Sequence, residues 1–113
     1  MTGAYSNHIT HICPQNEWQE ALQKGYYSAR SLQTEGFIHC SRPEQVIRTA
    51  NRFYTSVSDL LLLWIDPKLV EPEILWEKAD GELFPHIYGR LNLDAVVAVQ
   101  QLRPDVDGIF HSL

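Results

Sequence analysis

The sequence predicts an α+β fold, with two helices packed on a mainly antiparallel sheet. Stretches with the alternation or the apolar run of a strand outnumber stretches with helical periodicity. Both helical stretches lie in the first half of the chain, and strand-like stretches continue to its end. Such segregation is typical of α+β proteins. A chain of 113 residues without a linker rich in Gly, Ser or Pro suits a single domain, residues 1–113.

The first strand is expected at residues 8–12, and the first helix follows after Pro14. Asn16 is the predicted N-cap, and the helix runs to about Lys24, where Gly25 supplies the C-terminal stop. Its apolar face has positions i, i+3 and i+4, occupied by Trp18, Ala21 and Leu22. Residues 26–33 are predicted to be irregular, with room for a short strand.

The second helix is expected after a strand at residues 37–40. It begins near Pro43, with Ser41 or Arg42 as its cap. Its apolar stripe consists of Val46, Ile47, Ala50, Phe53 and Tyr54.

The second half of the chain predicts strands. Residues 60–65 are a continuous apolar run, typical of a fully buried strand, and Asp66-Pro67 ends it. Further strands are expected at residues 74–78, before a turn at residues 79–81, at residues 86–88, and at residues 95–102.

Charge and composition narrow the function classes. The net charge is −5, which disfavours long nucleic acids as partners, although Arg42, Arg48 and Arg52 can form a local positive strip. No apolar run approaches the roughly 20 residues that span a bilayer, and the N-terminus has no export signal, so a cytoplasmic location without a membrane is expected. Cys13 and Cys40 are then expected to be reduced thiols. The oligomeric state stays open.

Two short stretches, GFIHCS at residues 36–41 and FPHIYG at residues 84–89, contain the first candidate site residues. Side chains alternate along a strand, so each stretch lines up an aromatic ring, an imidazole and a hydroxyl on one face. These sets are Phe37, His39 and Ser41 in the first stretch, and Phe84, His86 and Tyr88 in the second. The same pattern also fits two core histidines with satisfied hydrogen bonds.

Histidines also precede both predicted helices. His11 lies just before the first helix, and His39 is followed by Ser41, Arg42 and the second helix. Free N–H groups at such junctions, together with a hydroxyl and a guanidinium, can hold a phosphate or a ribose hydroxyl. The alternative is that Ser41 only caps the helix and His39 only packs. His8 faces the other way from His11 and is expected to be structural.

In the second stretch, Gly89 permits a close backbone approach beside His86 and Tyr88. Glu77 lies a few residues upstream, where its carboxylate can orient a ribose or act as a base. The alternative is an ordinary exposed strand carboxylate.

The known ligand motifs are absent. A metal site would have to use His39, Cys40, His86 and Glu77, but the sequence has no CxxC and no HExxH, so no metal is expected. A serine nucleophile would be expected in a GxSxG motif, which is also missing. Without a P-loop or a GxGxxG motif, a nucleotide would bind in another kind of site.

Three blocks, HICPQNEWQEA, GFIHCS with EQV, and LWEKADGELFPHIYGRLNLDAV, together resemble the bacterial family known as "domain of unknown function 952". The resemblance runs from about His11 to Val99. It implies a fold similar to that of ADP-ribosyltransferases, a split α+β sheet around a cleft for NAD. The chain is also similar to the RNA 2'-phosphotransferases, in which His11 and His39 would match two strand histidines. Phe37 stands where those enzymes have a further histidine, which argues against phosphotransfer.

The resemblance and the residues together predict a small protein with a nucleotide-binding cleft, an NAD-dependent transferase of ADP-ribosyl or phosphoryl groups. Its candidate catalytic residues are Glu77, His39 and His86, and its candidate ligand-binding residues are His11, Ser41, Arg42 and Tyr88. His39 and His86 are expected to lie on strands and to converge on one cleft. The alternatives are a non-catalytic module that binds a small ligand or a protein, and a metal-dependent hydrolase that uses His39, His86 and Glu77.

Overall fold

The computed structural model describes residues 7–113. Residues 1–6, part of the N-terminal stretch in which the sequence shows no export signal, lie outside the described residues. The three α-helices of the described part are α1 (Gln15–Lys24), α2 (Arg30–Thr34) and α3 (Val46–Phe53). The strands are β1 (Ile9–Pro14), β2 (Tyr26–Tyr27), β3 (Ile38–His39), β4 (Leu60–Ile65), β5 (Glu73–Ala79), β6 (Glu82–Tyr88), β7 (Leu91–Asn92) and β8 (Val96–Leu102). None of the helices in residues 7–113 is long and apolar enough to cross a membrane.

The strands form two three-stranded antiparallel sheets and a small pair. The sheet orders are β1-β4-β8 and β3-β6-β5, and β2 pairs with β7. One isolated bridge between Thr10 and Ser41 joins the edges of the two larger sheets. The predicted α+β class with a mainly antiparallel sheet is confirmed.

The strands β1 and β4 are buried on both faces of their sheet, because their residues point alternately into two core clusters. Ile9 and Cys13 of β1 and Leu63 of β4 pack in one core cluster with residues of α1, β2 and β6. Ile12 of β1 and Leu62 of β4 pack in the second cluster, against α3. The continuous apolar run at residues 60–65 is therefore explained by burial on both sides.

The described chain has one α-helix more than the sequence predicts. The stretch at residues 26–33, predicted to be irregular, contains β2 and the start of α2. α2 has only five residues and none of them is buried, so it shows no apolar stripe from which a helix could be predicted. All three helices still lie in the first half of the chain.

The ends of α1 and α3 differ in part from the prediction. Pro14 precedes α1 without a side-chain cap, so Asn16 is not the N-cap, whereas Gly25 ends the helix in the left-handed conformation as predicted. A single 3₁₀ turn at Pro43–Gln45 leads into α3, and the Arg42 N–H donates to Gln45 Oε1 at 2.9 Å. Two residues assigned to apolar faces are exposed: Leu22 at 54% and Phe53 at 65%.

Several strand boundaries are also shifted. β3 is shorter than the predicted strand at residues 37–40, because the chain turns away at Cys40 to bridge Thr10 through Ser41. β5 and β6 are longer than predicted, since they form one hairpin over the turn at Asp80 and Gly81, both with positive φ. β8 begins at Val96 after a 3₁₀ turn at Leu93–Ala95.

Candidate functional site

A cleft opens at the place where β1 and β3 part. Thr10 exchanges two backbone hydrogen bonds with Ser41, at 2.7 and 2.8 Å. The backbone groups of an antiparallel strand alternate in direction, so residues i and i+2 point to the same side. The N–H and C=O of Ile12 therefore point to the side on which Thr10 bonds Ser41, away from β4. The carbonyl of His39 accepts instead from the imidazole of His11, whose Nδ1 lies 2.5 Å away. A side chain thus takes the place of a backbone hydrogen bond where the sheet splits.

The cleft has a volume of about 660 Å³, within the range of roughly 300–1,000 Å³ that holds small ligands. Its walls come from β1, from α1 and α3, from the β2–α2 segment and from the residues around β3. They consist of His11, Ile12, Pro14, Glu17, Tyr27, Ala29, Arg30, Ser31, Glu35, His39, Ser41, Thr49, Phe53 and Tyr54.

A chain of three ionisable side chains forms one wall. His11 Nε2 lies 2.8 Å from the Tyr27 hydroxyl, which in turn lies 2.9 Å from Glu17 Oε1. β1 places His11, β2 places Tyr27, and the first turn of α1 places Glu17. His11 and Tyr27 are buried, whereas Glu17 is half-buried at the cleft.

Burial dominates the electrostatics of this wall. It lowers the pKa of His11 from its ordinary 6.5 to about 4, although the hydrogen bond to the His39 carbonyl acts in the opposite direction. Burial also raises the pKa of Tyr27 above its ordinary value and that of Cys13 to about 12. The uncharged forms of all three groups are therefore favoured.

His39 stands at a more open part of the cleft. Its side chain is 51% exposed, and its Nε2 lies 3.0 Å from Glu35 Oε2. The ring of Phe37 meets the imidazole edge to face, with 4.7 Å between centroids. His39 is thus an accessible imidazole held in orientation by a carboxylate and an aromatic ring.

A second cluster lies behind His39 on the sheet β3-β6-β5. His86 Nδ1 donates to Glu77 Oε1 at 2.7 Å, and the Tyr88 hydroxyl donates to the same oxygen at 2.5 Å. The Phe37 ring stacks on His86 with 4.1 Å between centroids. The hydrogen bond from Tyr88, and then that from His86, lowers the pKa of Glu77, and the hydrogen bond to Glu77 raises the pKa of Tyr88.

The candidate residues therefore divide into two groups. His11, His39 and Ser41 line the cleft, whereas Glu77, His86, Tyr88 and Arg42 are not among its lining residues. His39 and His86 lie on neighbouring strands, directly opposite each other, with ring centroids 5.3 Å apart. Their predicted placement on strands is confirmed, but only His39 reaches the cleft. Arg42 is paired with Glu44, with 3.4 Å between Nε and Oε2.

The sequence analysis missed Glu17, Tyr27, Arg30 and Glu35. Glu17 and Tyr27 are ten residues apart and meet only because α1 folds back on β2. Arg30 is the first residue of the short helix α2, which was not predicted, and Glu35 directly follows it. No local spacing connects these residues, so no motif could have revealed them.

No group of three or more His, Cys, Asp or Glu side chains converges to hold a metal ion anywhere in residues 7–113. Cys13 and Cys40 are buried as free thiols. The pKa of Cys40 is raised by burial, so its thiolate, the nucleophilic form, is disfavoured.

Comparison with known proteins places this geometry in a family. Residues 12–99 match the family described as "Protein of unknown function (DUF952)". The crystal structure of protein CC0527 from Caulobacter crescentus is 29% identical, with a TM-score of 0.84 over 92% of this chain and 93% of that chain. The solution NMR structure of CC0527 is 30% identical, with a TM-score of 0.78 over 90% of each chain. None of the curated proteins matches.

Proposed function

The chain belongs to the DUF952 family, a family of unknown function, and we propose that it binds a nucleotide of the NAD class in the cleft between β1 and β3. The observation that carries the proposal is the composition of that cleft, which combines an apolar wall with an imidazole, hydroxyls and a guanidinium. A pocket with a few convergent polar groups among apolar residues is the usual form of a cofactor site. On this proposal the split sheet is an ADP-ribosyltransferase-like arrangement.

The exposed edge of β1 supports an amide-bearing ligand. Ile12 lines the cleft, and its N–H and C=O point into the split because Thr10, two residues earlier, uses the same side to bond Ser41. An N–H and a C=O side by side on a strand edge match a carboxamide, which accepts from the first and donates to the second. Nicotinamide carries such a carboxamide.

An aromatic rim supports a base at the other end. Phe53 and Tyr54 line the cleft at the end of α3, and the ring of Phe53 is 65% exposed. A large exposed ring at the edge of a pocket is a surface on which a nucleobase can stack, an interaction worth about 1–3 kcal/mol per base. The exposure of Phe53, unexpected for its apolar stripe, has a physical reason on this proposal.

The charges of the lining residues favour a ligand with little net negative charge. Arg30 is the one cationic residue among them, and Glu17 and Glu35 are acidic. A nucleoside triphosphate would bring several negative charges to a wall with a single guanidinium. NAD carries two phosphates and a positive nicotinamide ring, so its net charge is much smaller.

His39 and Glu35 support a transfer reaction. When His39 Nε2–H donates to Glu35, the other ring nitrogen, Nδ1, is left as a base at the open side of the cleft. An acceptor hydroxyl would attack C1' of the ribose next to nicotinamide. The new C–O bond forms, the C–N bond breaks with its electron pair going to nicotinamide, and the hydroxyl proton passes to His39.

One observation favours the alternative of a non-catalytic binding module. Glu77, predicted as a base, already accepts hydrogen bonds from His86 and Tyr88 and is not among the cleft-lining residues. Its carboxylate is therefore occupied in the protein without ligand. In the proposed enzyme, His86 and Glu77 support Phe37 and His39 rather than contact the nucleotide.

A melting experiment with NAD, ADP-ribose, AMP and ATP tests the binding proposal. We expect NAD and ADP-ribose to raise the melting temperature, since a ligand at 100 times its Kd adds roughly 2.7 kcal/mol of stability. Phe53→Ala should weaken their binding about tenfold through the lost stacking surface. Leu22→Ala, a change at an exposed apolar residue outside the cleft, is the matched control and should leave binding unchanged.

Absence of any shift with all four nucleotides would overturn the proposal. Binding of NAD without release of nicotinamide, in the presence of water or a hydroxyl acceptor, would leave the non-catalytic module as the function. Release of nicotinamide that is lost in His39→Ala supports the transferase.

A further inference from the structure

The outer strand β8 differs from β5, the other long outer strand of the molecule. Among the strands of residues 7–113, β8 pairs with β4 alone, so one row of its backbone N–H and C=O groups faces outward. Its sequence, VVAVQQL, contains no charged residue and no proline. β5 is the outer strand of the sheet β3-β6-β5 and carries Glu73, Glu77 and Lys78. Charges along an outer strand protect it from pairing with another chain, and β8 lacks this protection.

The side chains of β8 also suit a further strand beside it. Val97 is 39% exposed and Val99 is 42% exposed, although β-branched residues gain from packing against neighbours on a sheet. The pairing with β4 is regular over residues 98–102 and shifts only at the beginning of β8. The tail that follows is held against α3, because the backbone N–H of Phe110 donates to Asn51 Oδ1 at 2.7 Å and Asn51 Nδ2 donates to the Phe110 carbonyl at 2.8 Å.

We propose that β8 pairs antiparallel with β8 of a second copy of this chain, about a two-fold axis at Val99. Val99 is the central residue of the strand Val96–Leu102, so this axis pairs its whole length and joins two three-stranded sheets into one of six strands. A two-fold axis uses the same edge of both copies, and the assembly therefore closes as a dimer. Val99 then faces itself across the axis, and Val97 faces Gln101 of the partner subunit. Side chains directly opposite each other are about 4.5–5.5 Å apart, which covers the exposed valines.

The charges at the two ends of β8 fit an antiparallel partner. Asp94 precedes the strand, Arg103 follows it, and both are exposed. Antiparallel pairing about Val99 sets Arg103 opposite the partner's Ala95 and beside the partner's Asp94, and the symmetry repeats this contact at the other end. A parallel arrangement in register would instead bring the two Asp94 side chains together, and likewise the two Arg103 side chains. Electrostatic complementarity therefore favours the antiparallel direction.

The dimer is independent of the proposed nucleotide function. β1, which forms part of the cleft, lies on the other side of β4 from β8, and none of residues 96–102 lines the cleft. Binding of NAD should therefore be the same in a monomeric variant as in the native protein. Failure of either proposal leaves the other standing.

Sedimentation equilibrium of the native protein and of Val99→Lys tests the interface. A protein concentration from about 10 µM to 1 mM covers the weak affinity expected of an interface built on one strand pair. We expect the native mass to rise from that of one chain to that of two. Val99→Lys sets two ammonium groups opposite each other on the axis and should weaken self-association by about a hundredfold. Leu22→Lys adds the same charge at an exposed residue of α1 and is the matched control, with native self-association expected.

Asp94→Arg and Arg103→Asp test the direction and register of the pairing without changing β8 itself. Each variant alone brings like charges together at both ends of the interface, so its dimer should be weaker by about tenfold. An equimolar mixture of the two variants restores opposite charges at both ends. The mixture should associate about as well as the native protein.

A native protein that stays monomeric over the whole concentration range would overturn the proposal, as would self-association that Val99→Lys leaves unchanged. A mass above that of two chains would indicate an open assembly, such as β8 pairing with β5 of the next copy, and would contradict the two-fold axis. If Val99→Lys does not fold, the mixing experiment decides. No recovery in the mixture, compared with the separate variants, would refute antiparallel pairing about Val99.

Discussion

Two sets of one histidine, one tyrosine and one glutamate occupy different depths of this molecule. In the set at the cleft, Tyr27 stands in the middle, between His11 and Glu17. In the set behind His39, Glu77 stands in the middle and accepts from both His86 and Tyr88 through one oxygen. The residue types are the same, but the order of contacts and the burial differ.

The middle residue decides how each set is held together. A carboxylate in the middle accepts two hydrogen bonds, so Glu77 is a shared acceptor for His86 and Tyr88. In the cleft set the middle residue is Tyr27, whose hydroxyl donates to Glu17 and contacts His11 Nε2. Sets of the same residue types therefore serve different purposes: one forms a wall of the cleft, and the other holds Phe37 and His39 in position.

The largest expected difference lies in the stability of histidine variants. His11→Ala should lower the free energy of unfolding by about 3–5 kcal/mol, because it creates a cavity, removes the partner of the His39 carbonyl and leaves the Tyr27 hydroxyl with Glu17 alone. His39→Ala should change it by less than about 1 kcal/mol, since that side chain is 51% exposed. Urea denaturation measures both. Equal losses in the two variants would show that the cleft wall is not more tightly packed than its rim.

The next effect concerns pH. The folded-state pKa of His11 is lowered from 6.5 to about 4, so below pH 6.5 the unfolded chain binds a proton that the folded chain excludes. His11 therefore contributes a loss of stability as the pH falls from 6.5 to about 4. At about 1.4 kcal/mol per pH unit, this loss is roughly 3 kcal/mol.

Urea denaturation from pH 4 to pH 7.5 measures this loss in the native protein. His11→Asn removes the titrating ring and should flatten the dependence over the same interval. A slope in His11→Asn as steep as that of the native protein would show that another group causes the loss.

The second set should respond to acid in a different window. The pKa of Glu77 is lowered by its hydrogen bonds, so its contribution to stability is complete at neutral pH and is lost only as the pH falls below the ordinary 4.5. His11 acts between 6.5 and about 4. The two sets are thus distinguishable in one titration of stability.

The difference between the sets also explains what the sequence could predict. His86, Tyr88 and Glu77 lie on neighbouring strands of one hairpin, where alternation places their side chains on one face. Strand periodicity alone predicted that His39 and His86 belong to such strands. The fold class followed in the same way, from local patterns of period 2 and 3.6.

Apart from His11, the residues of the cleft set could not be predicted from such patterns. Glu17 lies on a helix, Tyr27 on a two-residue strand, and their contact depends on how α1 packs beside β1 and β2. α2 was missed because it has only five residues, none of them buried, and so shows no periodicity to detect. The cleft arises where two sheets diverge after a single bridge, and a sequence pattern does not encode where pairing stops.

The smallest effects come from removing one tyrosine hydroxyl in each set, the middle group of the cleft set and an outer group of the second set. Tyr27→Phe should lower the free energy of unfolding by about 2 kcal/mol, because His11 Nε2 is buried and no water replaces the lost partner. Tyr88→Phe should lower it by less than about 0.5 kcal/mol. The side chain of Glu77 is 38% exposed, so water can replace the lost donor, and His86 still donates to the same oxygen.

Both variants remove one oxygen from a tyrosine of the same fold, so urea denaturation of the pair compares the two environments directly. Similar losses would mean that the two tyrosine hydroxyls contribute equally to stability despite the different burial of their partners. A large loss in Tyr88→Phe alone would make the hairpin cluster, and not the cleft wall, the more tightly coupled of the two.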